Sequence, residues 1–158
     1  MRVGLISDTH NQLRGAVFRA FDGVDLILHA GDVGSADIIV ELETIAPVHA
    51  VMGNTDSPAL RPRVRDELEL ELEGCRVIVV HGHAFGSPSA PVLHAAYPET
   101  DVIVYGHTHR QRIDRIGDCI VVNPGAAGPA RFDLKPSVAV MTLVRGESPA
   151  VELIALGG

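Results

Sequence analysis

Cysteine is scarce. Cys75 and Cys119 are the only two in 158 residues, each close to valines or isoleucines and neither in a C-x-x-C pair. That argues against a disulfide framework and a thiolate zinc site, and leaves two buried thiols as the expectation. Tryptophan is absent and aromatics make up 4%, too few to suggest a platform for stacking nucleobases. Tyr97, Tyr105 and the four phenylalanines are therefore expected in the core. The longest aliphatic runs, such as Val77-Ile78-Val79-Val80, are a few residues long, far below the ~20 needed to span a bilayer. Met1 to Ser7 meets Asp8 and His10 before a signal-peptide core could reach its length, which points to a cytoplasmic protein. Basic runs are missing too. Against 20 acidic side chains stand 13 basic ones, a net charge of −7, which argues against broad nucleic-acid binding. Serine-hydrolase, P-loop, dinucleotide and H-E-x-x-H signatures do not occur.

What is present is a 46% hydrophobic chain long enough to bury roughly two-thirds of its unfolded surface. It reads as a single domain over residues 1–158. Short β-branched runs at 3–6, 26–28, 48–52, 77–80, 102–105, 120–122, 138–144 and 151–156 predict strands. Glu67 to Glu73 alternates glutamate and leucine, the mark of a half-solvated strand. Helical spacing joins Leu13, Val17, Ala20 and Phe21, then Ile38, Ile39, Leu42 and Ile45, and covers 90–97. Residues 57–63 and 125–136 read as loops. Helices alternate with strands early while the last third is mostly strand, so the pattern predicts an α/β protein of stacked sheets with helices outside.

Five predicted strands end in polar residues: Ser7-Asp8-Thr9-His10, His29-Ala30-Gly31-Asp32, Gly53-Asn54-Thr55-Asp56, His81-Gly82-His83 and Gly106-His107-Thr108-His109. Ligands converge at the carboxyl ends of strands, and a neighbouring glycine suits the sharp turn that aims a side chain inward. Imidazole with carboxylate and amide oxygen suits divalent Mn, Ni, Fe, Co or Zn. Seven donors, Asp8, His10, Asp32, Asn54, His81, His107 and His109, are too many for one ion. Two ions roughly 3.5–4 Å apart share a carboxylate, and Asp32 is the candidate bridge. Taken singly, Asp8 and His10 could equally open a helix near Gln12 as N-cap residues, and Asp32 and Asn54 could be turn residues. His29, His49 and His94 lack a comparable setting and read as packed or surface histidines.

Asp8-x-His10, Gly31-Asp32, Gly53-Asn54, His81 and Gly106-His107-x-His109 stand in the order of the calcineurin-like metallophosphoesterases. With Asn123-Pro124-Gly125, the chain resembles their small prokaryotic YfcE-type phosphodiesterases. The resemblance implies a four-layer α/β/β/α sandwich of two mixed sheets. It implies one metal on Asp8, His10 and His109, a second on Asn54, His81 and His107, Asp32 bridging, and a loop at Asn123 near the metals. Mn is the first choice of metal, and a small phosphoester the substrate. A water shared by two ions would lose its proton near neutral pH and attack phosphorus. Asp32, Asn54, His10 and His83 are the candidate catalytic residues, with Asn54, His83 and Arg131 contacting substrate. Many relatives carry histidine after Gly-Asn, where this chain has Thr55. General-acid help is then weaker, favouring diesters or good leaving groups over plain alkyl monoesters. A catalytically silent scaffold of the same fold, as in the small retromer subunit, is the alternative. An amidohydrolase reading of the two His-x-His pairs is opposed by length, since such barrels take about 250 residues. The pattern sets no oligomeric state; a homo-oligomer is compatible with it.

Overall fold

A computed structural model describes residues 1–131 and 133–157. The chain runs β1 (Arg2–Ile6), α1 (Gly15–Ala20), β2 (Leu26–His29), α2 (Ala36–Glu43), β3 (Val48–Ala50), β4 (Glu67–Leu72), β5 (Cys75–Val80), α3 (Ala90–Ala96), β6 (Val102–Val104), β7 (Arg112–Ile116), β8 (Cys119–Asn123), β9 (Ser137–Thr142) and β10 (Ala150–Ala155). Two five-stranded mixed sheets result, ordered β10-β9-β1-β2-β3 and β4-β5-β6-β8-β7. β1, β2 and β3 are mutually parallel in the first, as are β5, β6 and β8 in the second.

Successive strand residues point to opposite faces, and both faces of the central strands are used. Val3, Leu5, Leu26 and Leu28 meet Val77, Val79, Val102, Val104, Ile120 and Val122 between the sheets. On the other face of the first sheet, Ile6 and Ile27 pack with Val17 and Phe21 of the α1 region and with Ile39 and Leu42 of α2. On the far side of the second sheet, Ile78, Ile103 and Val121 pack with Leu93 of α3 and with Tyr105. The layers are therefore helix, sheet, sheet, helix, as the resemblance implies. Strands buried on both faces read as continuous aliphatic runs, which is why they were visible in the sequence.

β4 keeps its alternation: each glutamate is exposed and each leucine half-buried against the inter-sheet core. β7 is the strand the sequence does not announce. It is an edge strand paired with β8 across Gly117 and Asp118, with no fully buried residue. Its Arg112 and Asp114 pair at 2.7 Å on the solvent side. Helix α1 starts at Gly15 after Arg14, so Asp8 and His10 do not cap it. The 125–136 loop includes Phe132, which lies outside the described residues. Cys75 is half-buried and Cys119 buried, both free. Among the described residues, no helix is long and apolar enough to cross a membrane.

Candidate metal centre

The parallel strands of both sheets deliver their following loops to one rim. Five of the seven expected donors there have left-handed backbone: Asp8 (φ 54°), His10 (45°), Asp32 (55°), His107 (73°) and His109 (63°). Such φ values in non-glycine residues cost on the order of 1–3 kcal/mol each and persist where the surroundings impose them. Here the loops impose them on one another. Asp8 N–H donates to the Gly31 carbonyl and His10 N–H to that of Asp32, both at 2.9 Å, while Gly106 N–H donates to that of His81 at 3.1 Å. Two glycines make room for the carboxylates. A Cβ on Gly53 would collide with the side chain and amide of Asp32, and one on Gly106 with Ser7 Oγ and with Asp8 Oδ2.

The side chains converge without neutralising each other. Asp8 Oδ1 lies 3.3 Å from His109 Nε2, 3.8 Å from His10 Nε2 and 3.9 Å from His81 Nε2. Asp32 Oδ2 lies 3.3 Å from His81 Nε2 and 3.6 Å from His10 Nε2. His81 Nε2 is also 3.0 Å from Asn54 Oδ1. The His107 ring stands 5.2 Å from that of His81, centroid to centroid. Both carboxylates thus sit between the two groups of imidazoles, Asp8 as centrally as Asp32.

Three observations test whether divalent cations fit. His81 Nδ1 is 2.8 Å from the Ala30 carbonyl, which takes its proton and turns the Nε2 lone pair toward Asp32 and Asn54 oxygens. With the ring neutral, acceptors face acceptors there, an arrangement that a divalent cation satisfies and that, without one, only a second proton on His81 Nε2 relieves. Asp8 Oδ2 accepts from Ser7 Oγ at 2.6 Å and His107 N–H at 3.1 Å, but buried Asp8 Oδ1 has no hydrogen-bond partner. An orphaned carboxylate oxygen is costly unless a charge answers it. Finally, Asp8, His10 and His109, and again Asp8, Asp32 and His81, each bring donor atoms within 4.8 Å of one another. The residues fit a divalent cation.

Titration reflects the same crowding. Burial raises the Asp32 carboxyl, but hydrogen bonds from His81 and from the Thr55 amide outweigh it and hold the group well below the usual carboxylate range. Burial lowers His81, but Asp32 and Asp8 more than compensate and raise it. His10 and His107 are lowered, by burial first.

Around the donors stand residues outside the expected donor set. His29 is fully buried, and burial pushes its imidazole down to about 4. Its Nδ1 accepts from Gly31 N–H at 3.1 Å and its Nε2 meets Thr9 Oγ1 at 3.0 Å, so it braces both the Asp8 and Asp32 turns. The Asp56 carboxylate accepts from Val33, Gly34 and Gly53 N–H at 3.2, 3.0 and 2.9 Å, tying the Asp32 turn to the Asn54 turn. Asn123 Nδ2 donates to the Gly106 carbonyl and to Thr108 Oγ1 at 3.2 and 3.0 Å, holding the loop of His107 and His109. His83 stands exposed with its ring 5.4 Å from that of His81. Arg131 is exposed in the 125–136 loop, near enough for its charge to bear on His10. His49 and His94 lie outside the cluster.

Two mixed sheets between helices, with carboxylates and imidazoles gathered at one rim, define the metallophosphoesterase architecture. The calcineurin-like phosphoesterase superfamily domain matches residues 1–146, and the chain belongs to that superfamily. A probable metallophosphoesterase of Methanothermobacter thermautotrophicus is 40% identical over 164 residues, covering 99% of this chain and 94% of the relative. The YfcE phosphodiesterase of Escherichia coli K12 is 25% identical, covering 99% and 98%. The solved structure of an archaeal phosphodiesterase matches with TM-score 0.79 at 25% identity, covering 98% and 99%. A Vps29 mutant of Entamoeba histolytica matches with TM-score 0.77 at 20% identity, covering 98% and 99%, a likeness of fold.

Proposed function

We propose that this chain is a binuclear-metal-dependent phosphodiesterase acting as one cytoplasmic domain over residues 1–158 on a small phosphoester. The observation that carries the reading is the buried, unpartnered Asp8 Oδ1 facing the Nε2 atoms of His10, His81 and His109. Asp8, His10 and His109 would hold one ion and Asn54, His81 and His107 the other, with Asp32 a ligand available to both. Bound ions, Mn first among them, supply positive charge to the phosphoryl oxygens and a hydroxide nucleophile from water at neutral pH. With two ligating carboxylates against four positive charges, the rim attracts an anionic phosphoester despite the acidic chain.

The residues divide the remaining work. Asp56, His29 and Asn123 hold the donor loops in their strained turns, so the donors need little rearrangement on binding. Asn54 and His83 face the phosphoryl group, and Arg131 approaches it from the 125–136 loop. Thr55 carries no proton to spare for the departing alcohol at neutral pH. His83, the imidazole outside the donor set, is left to hold or move that proton, and good leaving groups are favoured.

The test is hydrolysis of a chromogenic aryl phosphodiester by metal-stripped protein with and without Mn²⁺, beside a folded Asp32→Ala variant. Activity restored in wild type and absent in the variant is expected. Wild-type protein that binds two ions yet hydrolyses no phosphodiester would overturn the enzyme in favour of the scaffold.

A further inference from the structure

Two cavities near the rim differ in what they touch. The first, about 580 Å³ between β7 and the start of α3, touches the His107–His109 turn at Thr108 and none of the expected donors. The second, about 480 Å³, is lined by Asn54, His81 and His83 themselves and runs outward to Phe85 and Tyr97. Phe85 and Tyr97 are half-buried rather than enclosed, and their rings meet edge to face at 6.4 Å. The short turn His83–Phe85 follows Gly82 at φ 99°; it places an imidazole at the rim and a phenyl ring in the cavity two residues later.

The charged groups of this cavity are already engaged. Arg61 pairs with Asp66 at 2.6 Å. Tyr97 donates its hydroxyl to Glu67 Oε2 at 2.7 Å, and burial with that carboxylate pushes the phenol up to about 12, so the ring stays neutral and fixed. Asp56 is committed to three backbone amides. What remains is the cavity face of an aromatic wall backed by the core of the second sheet, bordered by carboxylates that repel a further anion.

Resting on the phosphodiesterase reading above, we infer that this cavity receives one ester arm of the substrate, and that the arm is an uncharged aromatic or heteroaromatic group seated against Phe85 and Tyr97. Edge-to-face contact and burial of a ring favour it over a methyl group by about tenfold in affinity.

The experiment measures competitive binding of orthophosphate, methylphosphonate and phenylphosphonate to the full chain loaded with Mn²⁺. Wild type binds phenylphosphonate about tenfold tighter than methylphosphonate, and a 4-carboxyphenyl analogue loses that gain. Phe85→Ala and Tyr97→Leu, with melting temperatures taken as a folding check, each reduce the preference to under about threefold. Orthophosphate binding with no preference for the phenyl arm would overturn this inference and leave the phosphodiesterase standing. A preference unchanged in both variants would also overturn it. Failure of all three anions to bind would remove the phosphodiesterase reading and the inference together.

Discussion

Along β1 the chain passes within five residues from one regime to another. Val3 and Leu5 are fully buried among aliphatic side chains of both sheets. Asp8 and His10 follow in left-handed backbone, facing carboxylates and imidazoles. The slab stabilises by ordinary apolar burial, roughly 1.5–3 kcal/mol for each large aliphatic side chain. The rim spends part of that stability on strained turns and an unanswered carboxylate oxygen. The difference teaches where substitutions should separate stability from function.

The largest effect is expected at the rim. Asp8→Asn should lower kcat/KM by on the order of a thousandfold or more while leaving the metal-free protein no less stable, since it removes a buried charge whose Oδ1 has no partner, and the amide oxygen can still accept from Ser7 Oγ and His107 N–H as Oδ2 does; activity and urea unfolding of one preparation check both halves. The reverse holds in the slab. Leu5→Ala should cost about 2–5 kcal/mol by opening a cavity between the sheets, with Mn²⁺ affinity of the folded fraction unchanged, as denaturation and dialysis would read. Between the regimes stands Asp56. Asp56→Ala frees three amides and should weaken metal binding by about ten- to a hundredfold, measurable by titration with Mn²⁺.

The smallest effect is one of pH. The His29 imidazole is held neutral at about 4 in the fold, against 6.5 when exposed. Between those values the unfolded chain binds the extra proton, so stability is fully present above pH 6.5 and falls as pH falls toward 4. Metal-stripped wild type should lose about 1 kcal/mol through this group by pH 5.5, and His29→Gln should lose that part of the slope, as denaturation at several pH values would reveal.

The same contrast explains what could be read from the sequence. Slab strands were legible because burial on both faces writes aliphatic runs, and β4 because its glutamates and leucines alternate. The expected donors were legible because Asp8, Asp32, Asn54, His81 and His107 each come within a few residues of the end of such a run. β7 was not, since an edge strand with no fully buried residue writes no period. His29 and Asp56 were not, because they act on backbone amides: Asp56 reaches Val33 and Gly34 across more than twenty residues, a contact without a local signature. Phe85 and Tyr97 read as core residues, and only the fold leaves them half-buried beside His83. The positive φ angles of Asp8 and His10 were likewise invisible, being imposed by the Gly31 and Asp32 carbonyls of another loop.

Counting Mn²⁺ bound per folded chain, by equilibrium dialysis of metal-stripped wild type beside Asp32→Ala, bears on the whole arrangement. Two ions per wild-type chain, with loss of at least one in the variant, is the expected result. A well-folded wild type that binds none, or one ion regardless of Asp32, would contradict it.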